Sequence, residues 1–94
     1  MLEEVDGPMD RAKFDAEIED QRRRAVRQRR PHVEINAGEL HRTVGGYPRS
    51  SHRMPMCCDA LRGAMQEDDV IVFEPPAGQG ASLTIRFLLP AGSD

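Results

Sequence analysis

The stretch Ile35-Asn36-Ala37-Gly38-Glu39-Leu40 constrains this chain more tightly than any other, because it fixes where a helix starts and how the chain enters it. Asn36 has the short polar side chain that accepts from the free N–H groups of a first helical turn, and Glu39 follows three residues on, a capping-box pattern. Ile35 and Leu40 hold the two positions of a hydrophobic staple. The spacing predicts a helix from Ala37, with Leu40 and Val44 facing inward and Gly45-Gly46 ending it. Val33-Glu34-Ile35 reads as a short strand leading into that helix.

Around this junction the periodicities alternate. From a cap at Asp10 to Arg30 runs a helical segment with acids in its first half and arginines in its second, which complements the helix macrodipole. Its apolar stripe is thin: Phe14, Ile18 and Ala25, with Val26 beside it. Pro31 stops it. Tyr47 to Ser51 reads as a turn, with Tyr47 anchoring it against the core. A further helix starts near Met54, since Pro55 suits a first turn. Met54, Cys57, Cys58, Leu61, Ala64 and Met65 form its apolar series. Residues 70–73 are strand-like. In residues 82–89, Leu83, Ile85, Phe87 and Leu89 alternate with their neighbours at a period of two. The turn-rich stretch Glu74 to Ala81 makes the two runs a β-hairpin with a long tip.

The class expected from these elements is α+β: a long N-terminal helix, a short strand, two short helices and a C-terminal β-hairpin. A chain of 94 residues has room for one domain. Residues 10–90 are expected to form it, with a flexible tail at 1–9 and another at 91–94.

Charge is segregated along the chain. Residues 1–20 carry eight acids against Arg11 and Lys13, residues 21–62 ten arginines against Glu34, Glu39 and Asp59, and residues 63–94 five acids against Arg86. The net charge of −3 hides a basic middle between acidic ends. No run is long and apolar enough to span a bilayer. No basic-then-apolar leader is visible. The only cysteines, Cys57 and Cys58, are adjacent and would close almost no loop as a disulfide, so free thiols in a cytoplasmic setting are expected.

The element order, the capped segment INAGELHRTVGG and the hairpin VIVFEPPAGQGASLTIRFLLP together resemble the winged helix-turn-helix group of DNA-binding domains, over about residues 10–90. The resemblance implies a winged-helix-like fold. It makes MPMCCDALRGAM the recognition helix and PPAGQGA the wing. On that reading Arg49, Ser51, Arg53 and Arg62 contact DNA bases or phosphates, joined by Arg27 and Arg30 from the first helix.

Other chemistry reads more weakly. His41, His52, Cys57 and Cys58 are zinc-ligand types, but their spacing matches no metal motif and the cysteines fall on an apolar stripe. No metal or cofactor is expected. A Cys–His nucleophile pair would need an exposed thiol in an electropositive pocket. No set of nucleophile, base and oxyanion donors converges, so an enzyme is not expected. The stripe of Phe14, Ile18 and Ala25 can cover the chain's own core or meet a second copy. The second is the expectation, giving a homodimer that duplicates the recognition helix. The alternative to a DNA-binding regulator is a protein–protein adaptor that uses its arginine-rich helix against an acidic partner.

Overall fold

The computed structural model describes residues 8–44 and 53–90. Its order is α1 (Pro8–Arg27), β1 (His32–Asn36), α2 (Ala37–Val44), α3 (Met54–Gly63), β2 (Val70–Phe73) and β3 (Thr84–Leu88). The α+β class and the element order are those expected. The expected helix end at Gly45-Gly46 and the expected turn at Tyr47 to Ser51 lie outside the described residues, as do most of the expected N-terminal tail and all of 91–94.

The ends of α1 differ from the sequence reading. The helix already runs from Pro8, so Asp10 is inside it rather than its cap. Proline suits a first helical turn because its missing N–H has no partner to lose there. At the other end α1 stops at Arg27 rather than Arg30. Pro31 disfavours helical backbone at Arg30, and the chain has already turned out at Arg29.

The three strands form one antiparallel sheet in the order β1-β3-β2. β3 is central. Its inner residues Ile85 and Phe87 stand opposite Ile35 and Val33 of β1, and Ile71 of β2 also faces Ile85. The alternation is realised in full: Leu83, Ile85, Phe87 and Leu89 are buried beneath the helices, while Thr84, Arg86 and Leu88 face outward. On the outer face Arg86 pairs with Glu34 across the strands at 2.8 Å.

The three helices cover the inner face. Phe14 and Ile18 from α1, Leu40 from α2, and Met54, Cys57, Cys58, Ala60 and Leu61 from α3 meet the strand row in one core. Phe14, Ile18 and Ala25 are therefore used within the chain, at 1%, 1% and 4% exposure, and not between copies as expected. A three-stranded sheet this small cannot close a core without α1, so its stripe is drawn inward.

The Asn36 cap forms as read, but the reciprocal half of the capping box does not. Asn36 Oδ1 accepts from the Glu39 N–H at 3.0 Å. Its amide Nδ2 donates to Thr84 Oγ1, which ties the cap to β3. The Glu39 carboxylate pairs with Arg42 rather than returning to the cap. The first two N–H groups of α2 are satisfied by the loop before β3, Ala37 donating to Leu83 O and Gly38 to Ala81 O. Gly38 eases that approach, since a Cβ there would lie 3.1 Å from the Ala81 oxygen and push the loop back by a few tenths of an ångström. Among the described residues no helix is long and apolar enough to cross a membrane.

Asn36→Ala removes both the cap and the link to Thr84. It should lower stability by about 1–2 kcal/mol in urea unfolding. Asn36→Ser, which can still cap, should lose about half as much.

Candidate functional site

At the exit of α1 the chain makes a Schellman turn. Arg30 N–H donates to Ala25 O and Arg29 N–H to Val26 O, the two bonds that define this motif. The residue at its left-handed position is usually glycine, because a Cβ there costs about 1–2 kcal/mol. Here it is Arg29, at φ 61°, the only non-glycine residue with positive φ among those described.

The arginines before this turn are internally engaged. Arg22 reaches inward, 5.2 Å from the Phe87 ring centroid, and donates to Ala64 O. Arg23 pairs with Asp20, and Arg24 with Glu17 and Asp20. Beyond them the acids run out. Arg27, Arg29 and Arg30 are exposed, and none has a carboxylate within ion-pair distance among the described residues. Three cations in four positions thus stand open at the exit of α1.

Of the residues expected on a DNA-reading helix, Arg53 and Arg62 are described, and they do not share a face. Arg53 precedes α3 at its N-cap position and Arg62 lies in its last turn. Nine residues at about 100° each leave the two half a turn out of phase and roughly 13 Å apart along the axis. Arg62 is also occupied: it donates to the Glu74 carboxylate at 3.3 Å and to the Gly78 carbonyl. It clamps the β2–β3 loop onto α3. The other outward positions of α3 are Pro55, Met56, Asp59 and Gly63, which bring no cation. Arg49 and Ser51 lie outside the described residues.

The thiols hold the fold. Cys57 and Cys58 are fully buried, and about 100° of helix rotation sends them to different neighbours. Cys57 Sγ donates to Ala37 O at 3.4 Å, bracing the start of α2. Cys58 Sγ lies within hydrogen-bonding distance of both Gly80 O and Gly80 N, a second tie on the loop that Arg62 clamps. Burial, reinforced by the neighbouring Cys58, pushes the Cys57 thiol from 9.0 up to about 12. Burial also raises Cys58, partly offset by its bond to Gly80 and by Arg62 nearby. Neither thiol is poised as a nucleophile, which needs a depressed pKa and access. His41 is buried edge-on against Phe14, ring centroids 5.5 Å apart, so it works in the core.

Two features had no sequence signal. The Arg62–loop clamp joins residues whose proximity depends on the tertiary fold. The left-handed Arg29 was hidden because arginine is not a turn-forming type. The unpaired excess of arginines, in contrast, could be counted from the charge run. No family model, curated protein or solved structure matches the chain.

The Cys57 shift carries a pH dependence. Its folded pKa lies above its unfolded value, so the folded state holds the proton more tightly. That stability is fully present below pH 9.0 and is lost as pH rises from 9.0 towards about 12. In that window urea-unfolding stability should fall by about 1.4 kcal/mol per pH unit from this group. Cys57→Ala should remove its share of the slope. At neutral pH both thiols should label with a thiol reagent only as fast as the fold opens. Rapid labelling of the native protein would refute the assignment.

Proposed function

We propose that the chain is a small partner-binding module, with no catalysis of its own, that docks on an acidic protein surface through Arg27, Arg29 and Arg30. The observation that carries this is the arginine at the left-handed position of the Schellman turn. Glycine would fill that position without strain, and a strained residue is kept where its side chain is used. Arg29 stands between two other exposed arginines that also lack carboxylate partners among the described residues. Planar guanidinium groups match carboxylates in bidentate geometry.

The charge distribution favours a compact acidic patch over a long polyanion. The chain has a net charge of −3, with Glu67, Asp68 and Glu74 exposed elsewhere on its surface. A second reading keeps nucleic acid. The element order supports it, because the helices and the hairpin follow one another as in the winged helix-turn-helix group. On that reading Arg53 and the residues before it make the contacts.

The two separate in one titration. An oligoglutamate peptide and a mixed-sequence DNA duplex are bound at low and moderate salt and followed by fluorescence anisotropy. The peptide should bind, more weakly as salt rises, and Arg27→Ala/Arg29→Ala/Arg30→Ala should weaken it about tenfold or more. Arg29→Gly should raise stability by about 1 kcal/mol while weakening the same binding. Peptide binding indifferent to the triple variant would refute the proposal. Duplex binding that is tighter than peptide binding, and is lost with Arg53→Ala, would establish the second reading instead.

A further inference from the structure

The strand order β1-β3-β2 leaves β2 at an edge of the sheet. β2 is Val70-Ile71-Val72-Phe73 and, among the described residues, is bonded only to β3, along one side. Only Ile71 turns toward the core. Val70, Val72 and Phe73 are 50%, 45% and 52% exposed, and Leu88 of β3 beside them is 46% exposed. Val72 is the unmatched residue of a bulge, since Ile71 faces Ile85 and Phe73 already faces Thr84. Four apolar residues with one free row of backbone N–H and C=O groups form a template for another strand.

We propose that this edge accepts an extended segment of a partner protein, apolar in its middle and carrying Arg or Lys at its ends, added to the sheet as a fourth strand. The ends of β2 specify the charge. Glu67 and Asp68 are exposed before it and have no cationic partner among the described residues. Glu74 follows it and shares its carboxylate with Arg62 at 3.3 Å. Asp69 is already used, accepting from Leu88 N–H and Gln66 N–H. An incoming strand with basic ends meets carboxylates at both ends of β2, while main-chain bonds and the exposed valines supply the middle.

The same acids argue against a second copy as occupant. If two β2 strands paired about a two-fold axis with all four residues matched, Asp69 of each would oppose Glu74 of the other. Like charges directly opposite one another destabilise a strand pair. Glu67 and Asp68 lie at the same end of the sheet as the exit of α1, since Asp69 accepts from Leu88 N–H and Leu89 N–H donates to Pro31 O, but the free edge of β2 includes none of the three arginines, so either assignment can fail alone.

The test uses the full chain and three synthetic peptides of alternating Val and Thr: one with an Arg pair at each end, one with Glu pairs, and one with Arg pairs and N-methylated backbone. Binding is read by titration calorimetry and by hydrogen exchange of the β2 amides. The Arg-ended peptide should bind and slow exchange at Val70–Phe73, and the Glu-ended one should bind about tenfold more weakly. N-methylation should abolish binding, because it removes the main-chain donors. Glu67→Lys/Asp68→Lys, placed on an exposed loop, should lose or reverse the charge preference with unchanged thermal unfolding. Arg27→Ala/Arg29→Ala/Arg30→Ala should bind the Arg-ended peptide as the native chain does. The proposal is overturned by no slowing of β2 exchange at saturating peptide, by binding that survives N-methylation, or by light scattering and exchange that show β2 already covered by a second copy.

Discussion

The inward row of Leu83, Ile85, Phe87 and Leu89 is the interaction on which the rest of this structure depends. All four side chains are buried, and each contributes about 1.5–3 kcal/mol by leaving water. Because β3 is central, its backbone bonds to β1 on one side and β2 on the other. The loop before it supplies the carbonyls of Ala81 and Leu83 to the first N–H groups of α2. After the strand, Leu89 N–H bonds Pro31 O and fixes the entry to β1. One nine-residue segment thus sets the sheet, the start of a helix and the position of the turn that follows α1.

That dependence explains where the basic residues end up. The long β2–β3 loop must be held so that Ala81 and Leu83 meet α2, and α3 holds it with Arg62 and Cys58. Arg62 is thereby committed to Gly78 and Glu74. Arg22 is committed in the same way, its guanidinium against Phe87 and Ala64 O. A planar cation packed against a ring and bonded to carbonyls serves as a polar extension of the core. Both arginines would be counted as available in a sequence-level charge census, and both have packing roles.

Most local patterns in the sequence were read with success, the ends of α1 and the Glu39 half of the capping box being the exceptions. The Asn36 cap, the start of α2 at Ala37, the onset of α3 near Met54 and the alternation of residues 82–89 depend on neighbours a few positions away, and all appear in the structure. What depended on distant partners was less legible. The pairing of β1 with β3 brings together residues about fifty positions apart, and nothing in either strand specifies the other. The fate of Phe14, Ile18 and Ala25 hung on the same problem. A thin stripe reads alike whether it meets its own sheet or another copy, and only the missing third wall of the core decides for the first. Among the site residues, the patch at Arg27 and Arg30 was countable from the charge run, whereas the consumption of Arg62 was not.

The exit of α1 then shows how the charge pattern is resolved. The acids of the early helix reach only as far along it as side chains span, so Asp20 and Glu17 take up Arg23 and Arg24 and leave Arg27 open. Past the helix no acid is close in sequence until Glu34, and that one is taken by Arg86. The macrodipole tolerates cations at this end, so their presence costs the helix little. The left-handed turn is different, because Arg29 pays for its side chain in backbone strain of about 1 kcal/mol, a tangible fraction of the 5–15 kcal/mol that holds a small domain folded. Dipole compensation does not account for it, since Arg27 already lies in the last turn of the helix. Neither does packing, since Arg29 is exposed. The proposed docking of the three guanidinium groups on a partner would account for that strain.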